Sequence, residues 1–304
     1  MTAIGAQPSA VGSGRAVRRR RISLSELLVD KVLVYTLIAI LIFFCLFPLL
    51  WMFSTSIKRE VETFVIPPRW IPNAITFDAY YRALFPATKN GQLFVQYFIN
   101  STIVTVATTI LTVVVATPAA YAFSRFSFPG KQTFFFAILA RNMFPLVVFL
   151  IPLFILMQNL SMQNSYAGLT IAYLTFALPL GIWMLKGFFD GIPPELEKAA
   201  RIDGCTRLRA FVEVILPLST PGIVATAIYA FILAWDEYPL ANVLMHNTSM
   251  RTLPVGLAYF FTESAIDWSG LMATSLVISV PVVIVFLVLQ NYFVQALSEG
   301  AVKY

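Results

Sequence analysis

Residues 192–222 read IPPELEKAARIDGCTRLRAFVEVILPLSTPG, a charged island in a chain that is otherwise mostly apolar. Pro193-Pro194 opens a helix, because proline suits a first turn whose N–H groups have no intrahelical partner. Glu195 and Glu197 then stand where the positive end of the helix dipole favours acids. Leu196, Ala199 and Ala200 fall at i, i+3 and i+4, which predicts one narrow face of small residues. Gly204 is placed to end this helix in a left-handed cap just after Asp203. Thr206 is placed to cap a second helix in which Leu208, Phe211, Val212 and Ile215 repeat at i, i+3, i+4 and i+7. Pro217 and Pro221 close the island and hand the chain to the next apolar run. Each helix is too short to be stable alone in water, so the pair needs something to dock on.

Outward from the island the chain is built of runs long enough to cross a hydrocarbon core, about 20 residues each. Of its 304 residues, 59% are hydrophobic and 12% charged, which excludes an ordinary soluble domain. Expected spans lie at about 32–53, 98–123, 132–158, 168–189, 217–238 and 270–293. The fold class expected is therefore an all-α polytopic membrane protein with six transmembrane helices. Residues 1–31 form a polar N-terminal tail, 32–296 the membrane domain with a loop at 190–216, and 297–304 a C-terminal tail. A signal peptide is the alternative for the arginine-rich start. Residues 32–53, however, hold 22 positions without a charge, longer than a signal core, and no A-x-A site follows.

Six spans put both ends on one side. Fourteen of the 21 Lys and Arg fall on the side of the termini and the island, against six on the other, so that side is expected to be cytoplasmic. The basic residues cluster beside apolar runs rather than along a groove, so the net charge of +6 points to membrane topology and not to nucleic acid. Two cysteines, Cys45 and Cys205, make no disulfide framework, and a single histidine, His246, makes no histidine-rich metal site. No G-x-x-x-x-G-K-[ST] phosphate loop, H-E-x-x-H or G-x-S-x-G occurs, so no catalytic set and no cofactor of the chain's own is expected.

Within the spans, Thr102, Thr105, Thr109 and Thr112 share a helical face suited to close helix packing, with a polar solute path as the alternative. Pro118, Pro145, Pro152, Pro179 and Pro281 are expected to interrupt four helices. Arg141 lies about ten residues into the third run, near mid-bilayer at roughly 1.5 Å per residue. It can donate to a polar solute or a gate ion pair; it can equally make a structural pair with a partner subunit or snorkel. Asp236 and Glu237 lie near the outer end of the fifth span, where interface exposure and a gate role both account for them. Trp235, Tyr238 and Trp268 suit an aromatic belt, and Trp235 is also a candidate for the substrate path or gate beside Asp236 and Glu237.

The island resembles the EAA loop of the permeases of bacterial ATP-binding-cassette (ABC) importers, whose pattern is E-A-A, three residues, G, nine residues, I, one residue, L-P. Here Lys198-Ala199-Ala200 is followed by Gly204, Val214 and Leu216-Pro217 at those spacings. Lys198 stands at the motif's acid, with Glu197 one place earlier, and Val214 at its isoleucine. WDEYPLANVLM (235–245), RNMFPLVVFLIPLF (141–154) and YFVQALSEGAVKY (292–304) are similar to segments of sugar-transport permeases in the same family. The resemblance implies half of a translocation path for a di- or oligosaccharide or polyol, in a bacterial inner membrane. It further implies a second permease subunit, an ATPase pair holding ATP and magnesium, and an external sugar-binding protein. The island, with Glu195, Glu197, Lys198 and Asp203, would then couple to the ATPase. A secondary transporter or channel is the rival reading; it calls for mid-span carboxylates, and the runs hold none.

Overall fold

The computed structural model describes residues 24–85, 89–258 and 267–301. Most of the expected N-terminal tail, Glu263 and Lys303 lie outside these. Among the described residues there is no strand. Fourteen α-helices follow one another: α1 (Leu24–Ser56), α2 (Glu60–Thr63), α3 (Asp78–Leu84), α4 (Lys89–Arg125), α5 (Lys131–Ala140), α6 (Leu146–Asn159), α7 (Tyr166–Gly191), α8 (Pro194–Ile202), α9 (Arg207–Ala210), α10 (Leu216–Leu218), α11 (Thr220–Asp236), α12 (Pro239–Leu244), α13 (Leu253–Ala258) and α14 (Trp268–Ala301). A 3-10 turn covers Arg141–Met143, another Thr248–Met250, and a π-helical turn Phe211–Ile215.

The chain divides into two units, residues 1–50 and 51–304. In the first, residues 31–50 of α1 are exposed throughout, as an apolar helix is when lipid or another subunit is its solvent. In the second, α7 packs along α4, and α11 lies against α4, α7 and α14. Small side chains make this possible. Ala116, Ala120, Ala172 and Ala177 are fully buried. At Gly181 a Cβ would stand 3.2 Å from the methyls of both Thr112 and Thr226, so glycine sets how closely the three helices meet.

Four helices are long and apolar enough to cross a membrane: 31–56, 93–125, 166–191 and 268–292. Two bent pairs bring the number to six if each counts as one span. The expected span at 132–158 is one of these, its halves α5 and α6 meeting at 103°. The fifth also departs from expectation: α11 starts at Thr220, and residues 207–218 are turned 74° away from it. The helices run on through Pro118, Pro152, Pro179 and Pro281, and only at Pro145, which caps α6, does the chain break. The reason lies in the neighbours: Pro145 follows an extended Phe144 (ψ 133°), the backbone a residue before proline prefers. The threonines that face inward are Thr105, Thr108 and Thr112, whereas Thr102 and Thr109 are half-buried and bond back to the carbonyls of Phe98 and Thr105.

The connection after α1 makes contacts of its own. Ser56 bonds Tyr80 at 2.7 Å, Lys58 Nζ donates to the Arg69 carbonyl at 2.6 Å, and Arg82 pairs with Asp267 at 3.2 Å. Helix α4 starts earlier than the apolar run, because Phe94 and Tyr97 are buried in a cluster with Trp235 and Leu253.

Candidate coupling site

Helix α8 forms as its residues dictate. Pro194 occupies the first turn with Glu195 and Glu197 beside it. At the other end the N–H of Cys205 reaches the Ala200 carbonyl (3.0 Å) and that of Gly204 the Arg201 carbonyl (3.2 Å). This paired closure needs a left-handed residue, and Gly204 has φ +94°. Thr206 then caps α9, its hydroxyl accepting from the Arg209 N–H at 3.3 Å.

The buried side of α8 is not the alanine face but Glu197, which is 7% exposed. Its Oε1 accepts from the Tyr121 hydroxyl at 2.8 Å and lies 3.7 Å from Arg207 Nε, while Oε2 is 3.6 Å from Arg125 Nε. Arg125 also donates through Nη2 to the Ile192 carbonyl at 2.7 Å, so it clamps the approach to α8 as well as its middle. The Tyr121 ring packs on Phe211 and Phe189, with centroids 4.4 and 6.0 Å away. The Arg207 guanidinium lies 4.5 Å from the Phe126 ring. One carboxylate thus ties α8 to the end of α4 and to the start of α9. Neighbouring Asp190, at the end of α7, accepts from Ser124 (2.7 Å) and pairs with Lys186 (2.5 Å).

The opposite side of α8 is open. Glu195 and Lys198, about 70% exposed, make a loose pair at 4.0 Å. Ala199, Arg201 and Asp203 are exposed and Ala200 half-buried. Ile202 is 86% exposed and Leu208 73%, an apolar pair on either side of the Gly204 turn. The apolar repeat expected from Leu208 to Ile215 splits: Phe211 and Ile215 are buried, Leu208 and Val212 are not. A π-helical turn covers Phe211–Ile215, so the α-helical geometry on which the expected repeat rests does not run through it. Val214 and Leu216 are half-buried and Pro217 exposed. Arg209, hydrogen-bonded to Glu213 at 2.8 Å, has its pKa raised by that carboxylate.

The other singled-out residues lie elsewhere. Arg141 occupies the turn between α5 and α6, its guanidinium carbon 3.3 Å from the centre of the Phe176 ring and 5.0 Å from that of Phe149. Its Nη1 donates to Asn142, and among the described residues Nε and Nη2 meet no acceptor. Trp235 is 1% exposed, stacked on Phe231 and edge-on to Phe98, and donates to the Ile278 carbonyl at 3.1 Å. That is a core position and not a belt. Glu237 is buried and accepts from the N–H groups of Leu240 (2.6 Å) and Ala241 (3.0 Å), capping α12. Asp236 and Tyr238 are exposed. His246 is exposed, edge-on to Phe154. Tyr121 and Arg125 are the functional-looking residues that sequence reasoning missed; Tyr121 and Glu197 are 76 positions apart, and no local pattern joins them.

A bundle of membrane-crossing helices that holds one short helix outside itself, with an apolar pair left uncovered, is built to work with other proteins. Comparison with known proteins agrees. The family described as "Binding-protein-dependent transport system inner membrane component" matches residues 109–299. The chain is 38% identical to the sulfoquinovosyl glycerol transport system permease protein of Agrobacterium fabrum, over 92% of this chain and 96% of that one. It is 39% identical to the trehalose transport system permease protein of Mycobacterium tuberculosis, over 86% and 93%. Its fold is similar to that of a chain from a bacterial ABC transporter involved in import of the acidic polysaccharide alginate, with TM-score 0.75 and 26% identity over 89% of this chain and 98% of that one. The chain belongs to the family of binding-protein-dependent transport system inner membrane components, as a permease subunit of an ABC importer. It is a transport subunit, not an enzyme, and in such importers ATP hydrolysis sits in a separate subunit.

Proposed function

We propose that this chain forms half of the path by which a sugar or polyol, delivered by an external binding protein, enters the cytoplasm. The other half comes from a second, different permease, and the energy from an ATPase pair that binds ATP and magnesium. Both termini and α8 face the cytoplasm in this reading. The transport names of its relatives support the substrate class, and the charge asymmetry supports the orientation.

The observation that carries the coupling role is the two-sided character of α8. Buried Glu197 fixes its back to α4, while Ile202, Leu208 and the exposed Ala199 present a low, apolar front. A helix held this way transmits a push; a free loop would absorb it. Glu195, Lys198, Ala199, Ala200, Asp203 and Gly204 form the contacting part, and Val214, Leu216 and Pro217 the junction to α11. Within the path, Arg141 and Asp236 carry polar groups that the fold does not consume as it does Trp235 and Glu237. Purification of the chain with its co-purifying subunits tests the whole reading. An ATPase and a second permease should accompany it, and the correct sugar, with its binding protein, should stimulate ATP hydrolysis. A chain that moves solute in liposomes without any ATPase would overturn it.

A further inference from the structure

We infer that a cavity of about 670 Å³ between the start of α5 and the end of α7 is a binding site for one anionic phospholipid of the inner leaflet. Phe123, Phe128, Phe135 and Phe136 make its lining aromatic, and Lys131 and Lys186 line it as well. Both lysines stand at the ends of helices long enough to span a membrane, alone or as a bent pair, which is where headgroups lie.

The lysines are held in place rather than free to swing. Lys131 Nζ donates to the Phe126 carbonyl at 2.9 Å, and Lys186 Nζ bonds Asp190 while lying 5.4 Å from the Phe135 ring. Each ammonium has three protons, so each keeps donors for a phosphate. Asp190 cancels one of the two charges, and its other oxygen is occupied by Ser124. The α5 N-terminus adds to the remainder. Gly130 (φ +77°) precedes it, Lys131 N–H goes to the Phe128 carbonyl, and the first-turn N–H groups of Gln132 and Thr133 have no partner within the helix.

The aromatic lining decides what kind of anion fits. A free phosphate gains nothing from phenylalanines, whereas a phospholipid brings acyl chains to cover them. Exposed Phe134 and Phe136, 61% and 59% accessible, continue the apolar surface along α5 into the span. Basic pockets between spanning helices on the cytoplasmic side are the general form of such sites. The inference rests on the orientation proposed above, which cysteine labelling tests separately.

The test uses the whole importer, purified with its partner subunits and stripped in neutral detergent. Native mass spectrometry then counts retained phosphatidylglycerol against phosphatidylcholine during titration. The expected result is one phosphatidylglycerol per complex that is lost, or bound about tenfold more weakly, in the Lys131→Gln/Lys186→Gln variant. Thr133→Trp, which fills the cavity without changing charge, should lose the same lipid, while exposed Lys31→Gln should keep it. Retention in both cavity variants would overturn the site. So would loss in the lysine variant alone, which indicates diffuse attraction, or displacement by millimolar inorganic phosphate, which indicates a free-anion site. Subunit assembly, read in the same spectra, shows whether each variant is folded.

Discussion

Replacing Glu197 with Gln removes a buried charge and little volume, so its effect follows from the bonds that the carboxylate makes. Breaking one side of a buried ion pair costs about 3–5 kcal/mol, because the surviving charge stays desolvated. Two features reduce that here. The separations to Arg125 and Arg207 are 3.6 and 3.7 Å rather than short and bidentate, and Arg207 is 47% exposed. Exposed pairs contribute no more than about 1 kcal/mol. The Tyr121 hydrogen bond survives in part, since the amide oxygen still accepts. A net loss of about 2–3 kcal/mol remains, dominated by Arg125, whose side chain is 10% exposed. That corresponds to roughly a 30- to 150-fold shift in the equilibrium between seated and released α8, at about 1.4 kcal/mol per factor of ten. Hydrogen exchange should show the α8 amides losing protection by that factor, while α7 and α11 amides keep theirs. In liposomes containing the complete importer, ATP hydrolysed per solute moved should rise. Tyr121→Phe should do the same more weakly, and the double variant should fall short of the sum, since both act through one carboxylate. Unchanged protection of α8 in Glu197→Gln would refute the clamp, and full additivity would refute the shared carboxylate.

Lys198→Glu should leave transport near normal, because it puts an acid where the family motif has one and gives up only a 4.0 Å contact with Glu195, and uptake assays would show it. Ile202→Asp and Leu208→Asp should release the ATPase without lowering the permease in the membrane, as co-purification would report. Gly222→Val should disturb the bundle, since even a Cβ there would lie 2.4 Å from the Phe188 ring; overpacking of this kind costs about 1–3 kcal/mol and should lower the temperature at which the purified complex melts. In a variant lacking Cys45 and Cys205, cysteines at Ala3 and Ser298 should react only with a reagent that reaches the cytoplasm, and one at Asn73 with an impermeant external reagent.

The helical spans were legible because hydropathy is read locally, and so were the ends of α8, where Pro194, Glu195 and Gly204 each act through their own backbone. The breaks were harder. Pro145 and Pro152 look alike in sequence, yet only the first interrupts the helix, since an extended Phe144 precedes it. The roles of polar residues were least legible, because they depend on partners far along the chain. Glu197 reads as a surface acid until Tyr121 and Arg125 are brought to it, and Glu237 as an interface acid until α12 turns its N–H groups onto it. Trp235 beside an exposed Asp236 gives no local sign that the ring faces Phe231 and Phe98.

These contacts bear on how force would travel in the coupling proposed here. Pro217 alone suggests a single route, from the island straight into the fifth span. The 74° bend at Ser219 makes that route a corner, and a corner transmits a push along α11 poorly unless its other side is braced. The brace is present. Ser219 is fully buried with its hydroxyl on the Ile215 carbonyl at 2.7 Å, and Ile215 and Phe211 sit in the cluster around Tyr121 and Phe189. In that proposal a displacement of α8 would load two helices at once: α4 through Glu197, Tyr121 and Arg125, and α11 through the π-helical turn and Ser219. Since α4 and α11 meet at Gly181 of α7, where there is no room for a Cβ without a shift, both inputs would converge on the centre of the bundle. A two-point lever of this kind would move helices relative to one another, as opening a path requires; a push on one span alone would only tilt it.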